Sequence, residues 1–113
     1  MQPEPLTIEI LTGKAEGTRI LRLTGPLTLL NFFALQQELA KEHTPVTILD
    51  LTEVPYMDSA GMGAIIIHFV SAQRRGHKVI ASGVNFRVLE LFKLTKVDSL
   101  IPLTATVEEA ELL

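Results

Sequence analysis

Apolar and polar positions alternate along residues 6–11, LTIEIL, so that Leu6, Ile8 and Ile10 fall on one face of a predicted strand. The turn-rich TGKAEG separates it from a second run, TRILRLTG, with Leu21 and Leu23 inward. Two strands joined by so short a connector predict a hairpin. The period then changes. Across residues 29–41, LLNFFALQQELAK, apolar residues Leu29, Phe32, Phe33, Leu35 and Leu39 recur near helical spacing, with Asn31 as the candidate N-cap. After Pro45, VTILDL is β-branched and almost continuously apolar, the pattern of a central strand covered on both faces.

A second helix is predicted to start in the polar, glycine-containing hexamer that follows Met57 and to run to about Arg75, where Gly76 stops it. KVIASG reads as a strand, and NFRVLELFKLT as a helix with Val88, Leu89, Leu91 and Phe92 inside. SLIPL reads as a short edge strand that tolerates Pro102 at its end. TVEEAELL reads as a terminal helix with Thr106 and Glu109 in a capping-box relation. Two strands followed by alternating helices and strands predict an α/β fold: a mixed, mostly parallel sheet of about five strands with about four helices. It fills residues 6–113 as one domain, behind a short N-terminal tail, residues 1–5.

Composition narrows the function classes. The 113 residues are 47% hydrophobic and 20% charged, an ordinary globular balance that leaves no room for a second domain. A net charge of −3 with ten Lys and Arg argues against direct nucleic-acid binding, which needs a concentrated basic face. The one dense basic cluster, RRGHK, reads as a solvated helix end in which Arg74 and Arg75 complement the helix dipole. There is no cysteine and no secretory signal pattern, so a cytoplasmic location is expected. The longest apolar run, AGMGAIII, falls far short of the roughly 20 residues that a membrane-spanning helix needs, so no membrane insertion is expected.

The candidate chemistry lies in YMDSAGMGAIII, residues 56–67. No phosphate-binding loop of the G-x-x-x-x-G-K-[ST] type is present, and GMGAII lacks the third small position of G-x-G-x-x-G. A nucleophile elbow would need glycine where Met57 stands. His43 and His77 fall in predicted connectors facing solvent, and His68 in an apolar helix reads as partly buried and hydrogen-bonded. No pair of histidines has metal-ligand spacing, so neither a metal nor a cofactor is expected.

Asp58 has the place of a helix N-cap, and Gly61 and Gly63 would permit close packing against the neighbouring strand. Capping does not explain a hydroxyl just past the cap, nor Met57 and Met62 beside it, read here as exposed. Ser59 sits at the first helical position after the central strand, where α/β sheets place their functional loops. A phosphate there would bring roughly −1.5 to −2 charges, which a helix N-terminus accepts and a dry apolar interface does not. The hexamer therefore reads as a switchable docking surface made of Met57, Asp58, Ser59, Ala60, Gly61 and Met62.

The same residues carry a resemblance. TILDLTEVPYMDSAGMGAIIIHFVSAQRRGHKVIASGV resembles the central signature of STAS domains, specifically the small stand-alone bacterial anti-sigma factor antagonists. The match extends to RILRLTG upstream and LFKLTKVDSLIPLTATVEEA downstream. The resemblance implies a partner-switching cycle. A GHKL-type serine-kinase anti-sigma factor would phosphorylate Ser59 and thereby lose its grip on the antagonist, and a PP2C-type phosphatase would restore the free serine. The unphosphorylated antagonist would capture the anti-sigma factor and release the sigma factor, catalysing nothing itself. One departure bears on partner recognition: family members commonly carry acidic residues after the glycine that ends the second strand, whereas this chain reads Gly25-Pro26-Leu27-Thr28. The alternatives are a STAS subunit of a lipid-transport ABC complex, using the same helix as a permanent dock, and a small serine hydrolase using Ser59.

Overall fold

Five strands form one sheet in the order in which they occur along the chain. β1 (Thr7–Thr12) and β2 (Thr18–Thr24) make the antiparallel hairpin, with Thr7 opposite Thr24 and Thr12 opposite Arg19. β3 (Val46–Glu53), β4 (Lys78–Ser82) and β5 (Leu103–Thr104) continue the sheet in parallel, and β3 is central. The helices between and after them are α1 (Phe32–Lys41), α2 (Ser59–Arg74), α3 (Phe86–Leu94) and α4 (Val107–Ala110), with one turn of 3-10 helix at Val97–Ser99. The mixed, mostly parallel α/β sheet expected from the sequence is the one observed. This computed structural model describes residues 5–113; residues 1–4, which hold most of the expected tail, lie outside the described residues.

The unbroken apolar run of β3 has a simple cause. Side chains alternate between the two faces of a strand, and both faces of β3 are covered. Leu49 and Leu51 join Leu21, Leu23, Leu35, Ile65, Val88 and Phe92 in the larger core under α1, α2 and α3. Ile48 joins Ile20, Ile80 and Ala110 in the smaller core under α4.

Several expectations are corrected. Ile10 is half exposed, because β1 packs on β2 and no helix roofs it extensively; only Ile8 of this strand, with Leu6 just before it, packs against the larger core. α1 starts at Phe32 and not at residue 29, and its inner face is Leu35 and Leu39, which leaves Leu29, Leu30 and Phe33 exposed. Asn31 occupies the N-cap position without capping. Its side chain turns back instead, Oδ1 accepting from the Thr28 N–H at 2.9 Å and Nδ2 donating to the Pro26 carbonyl at 2.8 Å. Pro102 precedes the edge strand, and its carbonyl accepts from the Ala81 N–H.

The remaining helix ends follow their local sequence. Gly76 has φ +72°, its N–H bonds the Gln73 carbonyl and the His77 N–H bonds the Ala72 carbonyl at 2.8 Å, the six-to-one and five-to-two pattern that closes a helix on a left-handed residue. His77 is accordingly half-buried and does not point freely into solvent. At α4 the Thr106 hydroxyl accepts from the Glu109 N–H, while the Glu109 carboxylate accepts from the Ala105 N–H, one residue earlier than a reciprocal capping box would use.

Candidate docking site at the first turn of α2

Asp58 is the N-cap of α2, with extended backbone and Oδ1 accepting from the Gly61 N–H at 3.0 Å. Its second oxygen leaves the helix altogether and accepts from the Leu29 N–H at 3.0 Å. The two loops are zipped further by main-chain bonds, Leu27 N–H to the Tyr56 carbonyl and Asp58 N–H to the Leu27 carbonyl, both at 3.2 Å. Leu27 and Met57 form a parallel bridge at this seam. Burial pushes the Asp58 carboxyl up, but amide donors from Gly61, Leu29, Ala60 and Asp58 itself outweigh it and hold the group below the usual aspartate range. The cap is a carboxylate at neutral pH.

Gly61 is required by this seam. A Cβ there would overlap the carbonyl oxygen and side chain of Leu27, so the close approach is to the loop after β2, not to a neighbouring strand as expected. Gly63 makes no such approach, and a Cβ on it would meet nothing within 4 Å. Thr28, which stands where the resembled family commonly has an acid, is engaged in the same loop: its Oγ1 accepts from the Leu30 N–H at 3.3 Å.

Ser59, at the first helical position, is exposed. Met57 and Asp58 are half-buried and Ala60 is partly exposed, so these four reach the surface together. Gly61 and Met62 do not. Met62 is 1% exposed and packs in the larger core, which corrects its reading as part of an exposed rim. The reason is helical period: Met62, Ile65 and Ala72 recur at intervals of three and seven on the inward stripe of α2.

A third loop joins the site. Asn85 caps α3, its Oδ1 accepting from the Val88 N–H at 2.9 Å, while its Nδ2 donates to the Val54 and Pro55 carbonyls. The Arg87 guanidinium then lies 5.3 Å from the centre of the Tyr56 ring. Beside it is a cleft of about 300 Å³ lined by Tyr56, Met57, Arg87, Glu90, Leu91 and Leu94. The loops after β2, β3 and β4 thus meet at one end of the sheet; Leu29, Leu30 and Tyr56 in them, and Phe33 and Phe86 in the first turns of α1 and α3, are exposed. Sequence reasoning missed Leu29 and Phe33 as surface because they fit the helical period, and it did not single out Leu30, which is exposed beside them; the adjacent leucines before Asn31 were the available signal.

His68 is half-buried, but its Nε2 has no hydrogen-bond partner, unlike the expectation. Burial first, then the charges of Arg19, His43 and His77, push its imidazole down to about 4, so the ring is neutral at pH 7. It lies nine residues beyond Ser59 on the same helix, about 13 Å along the axis, too far to serve as its base. Among the described residues, no helix is long and apolar enough to cross a membrane.

Comparison with known proteins agrees with this architecture. The model of the STAS domain family matches residues 9–110. An anti-sigma-B factor antagonist of Listeria monocytogenes is 38% identical over 53 residues, 47% of this chain and 46% of that protein, so the match spans about half the length of the relative. The crystal structure of an anti-sigma factor antagonist from Mycobacterium paratuberculosis superposes with a TM-score of 0.80 at 20% identity, covering 96% of this chain and 93% of that one. The Bacillus cell fate determinant SpoIIAA in its phosphorylated form superposes with a TM-score of 0.74 at 17% identity, covering 92% and 96%.

Proposed function

The chain belongs to the STAS domain family, and on that premise we propose that it is an anti-sigma factor antagonist switched by phosphorylation of Ser59. In this reading the unphosphorylated chain binds a GHKL-type serine-kinase anti-sigma factor in the cytoplasm and frees the sigma factor. The anti-sigma factor transfers a phosphoryl group to the Ser59 hydroxyl, and a PP2C-type phosphatase removes it. The antagonist binds and is modified but catalyses no step.

The observation that carries the reading is an exposed serine at the first helical position, beside a doubly bonded Asp58 and at the end of the sheet where Leu29, Leu30, Tyr56 and Phe86 are exposed. A phosphate of roughly −1.5 to −2 charges would be attracted by the free amides and dipole of α2 and repelled by the Asp58 carboxylate. These effects oppose each other within the chain, so the fold is little disturbed. A partner resting on these apolar side chains would have to desolvate the dianion, and that is where the modification acts.

The test is titration calorimetry of the anti-sigma factor against two variants. Ser59→Ala binds like the unmodified chain and resists phosphorylation, whereas Ser59→Asp binds at least tenfold more weakly. Equal affinity of the two variants overturns the switch and leaves a permanent docking face.

A further inference from the structure

Asn31 stands at the N-cap of α1 and caps nothing there, although asparagine is among the residues best suited to that task. Both of its polar groups go to the preceding loop. Oδ1 accepts from the Thr28 N–H at 2.9 Å and Nδ2 donates to the Pro26 carbonyl at 2.8 Å, while the Asn31 N–H returns to the Thr28 carbonyl at 3.1 Å. The first turn of α1 thus forgoes stabilisation that its own N-cap residue could supply, and the loop receives it.

The loop is saturated as a result. From Leu27 to Phe32 every main-chain N–H has an acceptor: Thr28, Leu30, Asn31 and Phe32 find theirs on Thr28 or Asn31, whereas Leu27 and Leu29 donate across the seam to the Tyr56 carbonyl and to Asp58 Oδ2. The amides that leave the loop alternate with those tied down inside it, so closing the loop sets the direction of the Leu29 N–H. That amide fixes the second oxygen of Asp58, and Asp58 immediately precedes exposed Ser59. It is also one of the donors that hold the Asp58 carboxyl below the usual aspartate range, where burial and main-chain amides act and no charged side chain contributes.

We propose that Asn31 is a positioning residue for Ser59: by closing the 26–31 loop it aims the Leu29 N–H at Asp58, which fixes the start of α2 in the orientation that presents the Ser59 hydroxyl to the kinase. In the transfer a bond forms between Ser59 Oγ and the γ-phosphorus of ATP as that phosphorus parts from ADP, and the hydroxyl proton passes to a base of the kinase. The step therefore depends on where Oγ stands. The role of Ser59 as acceptor rests on the proposed function. The link from Asn31 to Asp58 rests on the hydrogen bonds alone.

The experiment uses two variants. Asn31→Ser can cap α1, but its shorter side chain does not reach both Thr28 and Pro26; Asn31→Asp keeps the acceptor for the Thr28 N–H and loses the donor to Pro26. Nuclear magnetic resonance follows the Leu29 amide and the Asp58 carboxyl through an acid titration. In wild type the amide shift tracks the carboxyl, and Asp58→Asn is the control that abolishes this. Asn31→Ser should break the coupling and move the Asp58 titration upward, with a melting temperature within a few degrees of wild type, and Asn31→Asp should fall between. With the purified serine-kinase anti-sigma factor of the same cell and ATP, kcat for phosphorylation of Ser59 in Asn31→Ser should fall about tenfold or more while KM changes less than twofold. A Leu29 amide that still tracks Asp58 in both variants overturns the link, whatever the kinase does. Broken coupling with kcat unchanged overturns the positioning role and leaves the switch standing. A wild-type chain that the kinase leaves unmodified at Ser59 overturns the switch and the positioning role with it. A collapsed melt in both variants assigns Asn31 to the fold and overturns the proposal.

Discussion

The two ends of α2 are both closed by hydrogen bonds, but the bonds come from different places. At the C-terminal end every partner is local: Gly76 and His77 return to Gln73 and Ala72, and exposed Arg74 and Arg75 surround them. At the N-terminal end Asp58 divides its two oxygens between Gly61, three residues on, and Leu29, twenty-nine residues back. Asn31 and Asn85 brace the adjoining loops in the same way, each bonding carbonyls outside its own helix. One end only has to stop a helix. The other holds three loops and their exposed apolar side chains in a fixed arrangement, so a partner that docks there loses less to ordering the surface.

Substitutions at three positions sharpen this contrast. The largest effect is expected one turn inside the N-terminal end, where Met62→Lys places a charge in the core and should cost about 3 kcal/mol or more, seen as a collapsed thermal melt. A stable Met62→Lys protein would mean that this turn can open, and would return Met62 to the docking surface.

The cap comes next. Asp58→Ala removes both bonds and should cost about 2 kcal/mol, near the upper range for a lost N-cap because the tie to Leu29 goes with it. Asp58→Asn keeps an acceptor and should retain most of that stability, measured by urea denaturation. The pH dependence has a definite sign. A carboxyl held below its unfolded value contributes stability above that unfolded value, near 3.9, and the contribution disappears as pH falls through the lower folded value. The advantage of wild type over Asp58→Asn should therefore shrink in acid, and an advantage that grew in acid would refute the carboxylate cap.

The smallest effect belongs to the other end. Gly76→Ala forces a side chain into the left-handed region and should cost about 1 kcal/mol, with partner affinity unchanged. Weakened binding by Gly76→Ala, comparable to that of a first-turn variant, would erase the functional distinction between the ends.

Much of this was legible residue by residue. Alternation marked β1 and β2, continuous apolarity marked β3 as central, and Gly76 and Asp58 marked the two ends of α2. The errors share a cause. Leu29 and Phe33 matched a helical period yet face solvent, Ile10 matched a strand period yet has no helix over it, and Met62 read as surface although its own stripe is buried. Periodicity assigns residues to faces, but it does not say how far a neighbouring element extends over a face.

The sequence by itself determined the order and type of the elements, the helix stops and the place of Ser59 at a helix start, because propensity, capping and period act over a few residues. Only the tertiary structure decided that Asp58 reaches Leu29, that Gly61 makes room for Leu27 and Gly63 for nothing in this chain, and that Met62 is core while Leu29 and Leu30 are surface. Those outcomes depend on which loops the parallel sheet brings side by side, and contacts between residues some thirty positions apart leave no periodic trace in the chain.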